Sequence, residues 1–251
     1  MRSIQKLLIN EKFNFRLLIF WVIVLSILYS LLSILRHAHF QSGGFDLGIY
    51  DQSVWQYSNF LSPYSTIKER FVLGDHMALT LPLLAPLFYL FDNVRILLIF
   101  QAFWLSLSTL GIYLIAKRKL PPFVSLAISF AYSLFYGLQF AVFFDFHPVI
   151  IGVGLLPWVA YFLETGRRKL LITSVVLLLL TQENMGIALA SLGFCYLFSK
   201  RYRKTAIGLI CGGFLVSIFL VKAVAFISPI GYEYSPRISL NPFIILSDFF
   251  N

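Results

Sequence analysis

The chain has 251 residues, of which 59% are hydrophobic, 18% aromatic and only 12% charged, with a mean hydropathy of +0.83. Soluble domains carry about 25% charge, so a water-soluble globule is excluded, and with just two cysteines, Cys195 and Cys211, both in apolar segments, so is a disulfide scaffold. The net charge of +9 is read first as membrane topology, because Lys and Arg collect in cytoplasmic loops; no nucleic-acid motif accompanies it, and no nucleic-acid partner is expected.

In chain order, residues 1–16 form a short basic segment, followed by a charge-free run from Leu17 to Leu35 between Arg16 and Arg36. That run is long enough to cross a hydrocarbon core of about 30 Å, too long for a signal-peptide core, and not followed by a cleavage site. It reads as a retained signal anchor. Residues 36–93 make a long external loop, and loops of that length are usually functional. Within it Gly43 to Tyr57 reads as an amphipathic helix on the outer interface, with Leu47, Val54 and Leu61 at heptad spacing. The apolar run 78–91 contains Pro82 and Pro86 and reads as a re-entrant or juxtamembrane helix buried against protein.

Further runs follow at Val94–Ala116, Phe123–Phe143 and Val149–Leu163. The stretch Leu170–Ser199 is interrupted by Gln182-Glu183-Asn184. As one helix it would be about 45 Å long with an acid at membrane depth, so it reads as two short helices around a turn. Ala206–Ile227 closes the set, and 228–251 is an external tail. The expectation is one all-α polytopic transmembrane domain over 1–251 with about seven crossings, 94–227 holding the second to seventh. With 78–91 not crossing, fourteen of the twenty Lys and Arg lie inside, which places the N-terminus in the cytoplasm of a multi-pass protein of the cell (inner) membrane.

On this topology Asp46, Asp51, Glu69, Asp75, Asp92, Asp145, Glu183, Glu233 and Asp248, and all four histidines, fall outside. Orientation does not require this, since acids contribute little to topology. A site built from carboxylates and imidazoles does. Asp46 follows a Gly pair and Asp75 precedes the Pro-containing segment, each where a helix N-cap would stand, so capping and a site role are both open. Asp51 lies five residues after Asp46, about 140° round a regular helix. Asp145 and His147 alternate with phenylalanines in the next external turn. Glu183, between Gln182 and Asn184, is the costliest acid in the chain if it sits at membrane depth, and Lys222 in the last run could snorkel outward or meet an anionic group. Asp46, Asp75, His76 and His147 are together a donor set suited to a divalent metal, Mg²⁺ or Mn²⁺. Hydrolase and phosphate-loop motifs are absent.

The long first external loop, with an acid opening an interfacial helix and a Pro-containing helix after it, resembles the GT-C superfamily of integral-membrane glycosyltransferases. More narrowly, Phe45-Asp46-Leu47-Gly48-Ile49-Tyr50-Asp51-Gln52, Leu73-Gly74-Asp75-His76 and Asp145-Phe146-His147-Pro148 look like a family of prokaryotic predicted membrane proteins of unknown function, over Leu17 to about Lys204. The resemblance implies a GT-C-like module that transfers a sugar from a polyprenyl-phosphate lipid at the outer membrane face, often with a divalent metal. Asp46 and Asp145 match the acids of the first and second external loops and are the implied catalytic pair. Gln182-Glu183-Asn184 falls where the family tends to show a Lys-Glu-Asp-like triplet, which makes Gln182 and Glu183 candidate substrate contacts; Asp51, otherwise a solvated polar face, and Lys222, beyond the matching stretch, are the further candidates from the residues themselves. GT-C enzymes usually carry more helices, so the expectation includes a truncated module or one completed by a second chain. The competing classes are a transporter or lipid-handling protein, whose inverted repeat is not found, and a catalytically silent membrane scaffold.

Overall fold

The computed structural model describes residues 10–234; the first nine residues of the basic N-terminal segment, and the tail beyond 234 with Asp248, lie outside the described residues. The described residues form ten α-helices, and the fold is all-α apart from one two-residue strand pair. The first helix, α1 (Glu11–Ala38), starts at Asn10, whose side chain accepts from the Phe13 N–H at 3.1 Å. Its buried stripe, Leu18, Val22, Leu25, Tyr29 and Ser33, follows helical spacing. Phe20, Ile23, Ile27 and Leu31 are exposed on the other side. An apolar exposed face of that extent suits lipid as the solvent.

The middle of the bundle is α4 (Arg95–Ala116), packed against α1, against the pair α5 (Pro122–Ser133) and α6 (Tyr136–Phe143), and against α7 (Val149–Thr165). The α5–α6 pair bends by 43°. Gln101 of α4 donates to the carbonyls of Val142 and Phe144 at 3.2 and 3.1 Å, satisfying backbone groups where α6 ends. Gly111 of α4 lies against Pro157 of α7, where an added Cβ would stand 2.8 Å from the proline ring. A Gly166 at φ +70° ends α7, and α8 (Arg168–Leu179), α9 (Met185–Tyr196) and α10 (Arg203–Ile227) follow. The interruption Gln182-Glu183-Asn184 is the turn between α8 and α9, as the sequence pattern predicts.

Two ends of the bundle differ in chemistry. At one, Lys117 pairs with Glu11 at 2.9 Å, and buried Glu164 accepts from Tyr196 at 3.0 Å and lies 3.5 Å from Arg118 and Lys119. At the other, the first loop, the turn after α6, the α8–α9 turn and the chain after α10 meet. Three helices, α1, α4 and α10, are long and apolar enough to cross a membrane, and the bent α5–α6 pair makes a fourth if counted as one span. With α7 at 17 residues and α8 and α9 at 12 each, against about 20 residues per span, length and composition show three or four candidate crossings among the described residues and do not show the seven counted from apolar runs.

The loop 36–93 is not a surface excursion. It holds α2 (Ile49–Ser58), a strand pair β1 (Tyr64–Ser65) and β2 (Arg70–Phe71), a short 3₁₀ turn Val72–Gly74, and the segment Leu81–Leu84 running into α3 (Ala85–Leu90). Leu47, Tyr50, Val54, Val72, Leu81, Leu84 and Phe88 share one core with Leu97, Phe146, Leu155 and Leu178 of the helical body. The Leu81–Leu90 segment is 10 residues long, about 15 Å, and packs on α2 rather than spanning. Along the expected Gly43–Tyr57 helix, Leu47, Tyr50 and Val54 are buried in protein, and Leu61 beyond it is exposed.

Candidate functional site

The loop opens with a wide turn, Gly44–Gly48, of five residues in π-helical geometry, before α2 begins at Ile49. Asp46 lies inside that turn, and neither it nor any other side chain caps α2. Capping is therefore not the role of Asp46. Asp75 differs in the same way: it ends the 3₁₀ turn Val72–Gly74, while Thr80 stands before Leu81, again without a side-chain cap. Both acids instead face partners from other elements.

Two polar clusters result, close to each other. In the first, His147 Nε2 lies 2.9 Å from Asp46 Oδ1, and His147 Nδ1 lies 3.1 Å from the Asp145 carbonyl. A carbonyl only accepts, so in the Nδ1 contact His147 is the donor. Asp46 is 35% exposed and Asp145 2%. Asp145 has both oxygens engaged, with Arg36 and the Gly43 N–H, each at 2.6 Å. It thereby fixes the entry of the wide turn to the turn after α6.

In the second cluster, Glu183 is 1% exposed and accepts from the Met77 N–H at 3.1 Å and Tyr232 at 3.1 Å, and pairs with His76 Nδ1 at 2.8 Å. Gln182 Nε2 lies 3.1 Å from the same His76 nitrogen. The Glu183 carbonyl accepts from Ser217 at 2.5 Å. Ser217 stands ten residues before the end of α10 at Ile227, about 15 Å along its axis, so Glu183 is recessed and the Asp75–Met77 segment dips to meet it. Asp75 accepts from Tyr234 at 2.8 Å and lies within 3.5 Å of Lys68 and Arg70. His76 is stacked on Tyr234 with ring centroids 4.3 Å apart.

Tyr50 joins the clusters. Its ring meets His147 at 5.5 Å, and burial, reinforced by Asp75, Tyr234, Asp46 and Glu183, holds its phenol protonated well above the usual tyrosine range. Lys68 reaches over the Phe45 ring at 5.9 Å beside Asp46. The fold thus brings together Asp46, Asp75, His76, Asp145, His147, Gln182 and Glu183. It does not bring Asp51 or Lys222. Lys222 is exposed between buried Leu220 and Val224, hence on the opposite, outward face of α10.

Asp51 has one buried oxygen without a hydrogen-bond partner, and burial, then the nearby Asp92, raise its carboxyl from the ordinary value to about 6. A raised acid binds its proton more tightly folded than unfolded, so the related stability is complete below the unfolded value and is lost as pH rises through about 6. Asp51→Asn is expected to raise the unfolding midpoint by about 2–4 °C at pH 7.5 and by little at pH 4. Thermal unfolding at the two pH values checks it.

Among the described residues no three of His, Cys, Asp and Glu are grouped so as to hold a metal. Asp46 and His147 face each other, Asp75 is taken by Lys68, Arg70 and Tyr234, and His76 by Glu183. As arranged, the four expected donors do not fit one shared ion, and the local positive charge is supplied by Lys68 and Arg70. Glu233 is expected from sequence only as one of the outer acids, and Tyr50, Tyr232 and Tyr234 are not among the candidate site residues from sequence, nor are those two cations. A signal for them exists: they belong to the few Lys and Arg that positive-inside counting leaves on the acidic end.

A family model described as a predicted membrane protein (DUF2079) matches residues 36–234. No curated protein and no solved structure matches the chain.

Proposed function

The chain belongs to this family of predicted membrane proteins, and on that premise we propose that it is a GT-C-like module that transfers a sugar from a polyprenyl-phosphate lipid, with the acidic end of the bundle at the outer face of the cell membrane. The observation that carries the reading is the Asp46–His147 pair, an accessible carboxylate 2.9 Å from an imidazole nitrogen, beside a recessed network with two cations. Asp46 Oδ1 is held by His147, which leaves Oδ2 to act as a base.

In the proposed step the acceptor hydroxyl oxygen bonds to the anomeric carbon from the face opposite the phosphate. The carbon–oxygen bond to phosphate breaks with its electron pair moving to the phosphate oxygen, and the hydroxyl proton passes to Asp46. A lipid-borne donor brings its own leaving group to the membrane, so no nucleotide-binding domain is required. Asp145, buried and saturated, serves to position the Gly43–Gly48 turn, and Glu183 to position His76. Asp51 and Lys222 have no part in this scheme.

The test incubates the full chain in lipid discs with radiolabelled polyprenyl-phosphate hexoses and follows release of the sugar to water or added glycan acceptors. Asp46→Asn is expected to lower turnover by about 100-fold or more while leaving donor binding intact. Failure of the unsubstituted protein to consume any donor, or full activity in Asp46→Asn, would sink the proposal.

A further inference from the structure

The short chain segment after α10, residues 228–234, folds back over the second cluster. Its base is fixed where Gly74 meets Ser228: a Cβ on Gly74 would stand 3.3 Å from the Ser228 Cα. A turn at Gly231, φ +76°, then brings Glu233 and Tyr234 onto Lys68 and Arg70. Arg70 Nη2 donates to Glu233 Oε2 at 2.5 Å, and Lys68 Nζ lies 3.5 Å from the same oxygen. The hydrogen bond from Arg70 holds the Glu233 carboxyl below the ordinary range.

Burial across this contact is unequal. Arg70 is 6% exposed and Lys68 15%, whereas Glu233 is 43% exposed. The cations are built into the fold, by the Tyr64–Phe71 strand pair, and the anion that meets them is at the surface. Charge makes the same point: Lys68 and Arg70 face Asp75 and Glu233, so without Glu233 one positive charge is left over. Arg70 Nε is also buried without a hydrogen-bond partner. A carboxylate oxygen on Nη2 leaves that donor unused, while a phosphate can take the Nε and Nη2 edge of a guanidinium with two oxygens at once.

We propose that Lys68 and Arg70 form a seat for a phosphate group, occupied in this structure by the Glu233 carboxylate, and that the 228–234 segment competes with the ligand for it. The seat takes a phosphate monoester or diester; on the transferase reading, on which this assignment of the ligand rests, it is the phosphate of the lipid donor. Entry of phosphate lifts Glu233 into water and with it Tyr234 from His76 and Asp75. The same segment then regulates access to the recessed network.

The test uses sugar-free probes, so that it is separate from transfer. A prenyl monophosphate in lipid discs and inorganic phosphate in solution are each titrated against the full chain, its Lys68→Met variant and its Glu233→Gln variant. Glu233→Gln is expected to bind about tenfold more tightly than the parent and Lys68→Met about tenfold more weakly, one full charge contact each way. The ordering with the prenyl probe alone identifies a lipid headgroup; the same ordering with both identifies the phosphate itself. Equal affinities in all three proteins, or no binding of either probe by Glu233→Gln, overturns the seat; because Glu233 is at the surface, misfolding does not obscure that variant. Phosphate binding without sugar transfer leaves the seat standing and removes the transferase reading, and transfer insensitive to both variants does the reverse.

Discussion

Replacing Arg36 with methionine is expected to destabilise the protein by about 3–5 kcal/mol, the usual consequence of leaving a buried charge without its partner. Arg36 sits in the last turn of α1 and meets Asp145 at 2.6 Å, with side-chain exposures of 12% and 2%. Its guanidinium also lies over the Phe143 and Phe144 rings, at 5.7 and 5.9 Å, so methionine preserves much of the apolar contact and isolates the loss of charge. The effect extends to the site, because the other Asp145 oxygen holds the Gly43 N–H at the mouth of the turn that carries Asp46. Thermal unfolding in detergent measures the stability. The double variant Arg36→Met with Asp145→Leu removes the stranded carboxylate and is expected to recover more than half of the loss; no recovery would show that the pair is not the cause.

Gly186→Leu is expected to cost about 3 kcal/mol or more, through overpacking where α9 crosses α10. A Cβ on Gly186 would collide with the Gly213 carbonyl oxygen and stand 2.5 Å from Ser217 Oγ, and a Cβ on Gly213 would collide with the Gly186 carbonyl oxygen. Further along, a Cβ on Gly193 would lie 2.9 Å from the Ala206 carbonyl oxygen. Small residues thus line both helices where they touch, which suits association in lipid, where packing rather than the hydrophobic effect drives helix pairing. Because Ser217 holds the Glu183 carbonyl, separating α9 from α10 also disperses the recessed network. Gly208→Leu is the control: nothing lies within 4 Å of its Cβ position, and an unchanged or slightly raised midpoint is expected there. A loss of equal size at Gly208 would refute the packing argument and point to an intrinsic demand for glycine in these helices.

Much of the site was legible because its residues are expensive. Carboxylates and histidines in a chain that is 12% charged need a reason to be there, and Asp46, Asp75, His76, Asp145, His147 and Glu183 do meet at one end of the bundle. Their partners were less legible. Lys68 and Arg70 look like ordinary loop charges until the strand pair Tyr64–Phe71 turns them inward, and a register of two residues per strand leaves too short a pattern to read. The N-cap readings of Asp46 and Asp75 failed for a related reason: a local motif states what a side chain can do for its own turn, whereas here more distant partners, His147 and Arg70, took the oxygens.

What the sequence determined by itself is the solvent and the segregation. Apolar runs of near-bilayer length, basic turns and the polar break at Gln182-Glu183-Asn184 fixed a helical membrane protein with one basic and one acidic end, because burying a charge in hydrocarbon costs several kcal/mol and each backbone must satisfy itself there. Tertiary structure decided which acids are buried and paired and which cations answer them. Those outcomes depend on contacts between residues about a hundred positions apart, such as His76 with Glu183 and Arg36 with Asp145, and no periodicity along the chain encodes them.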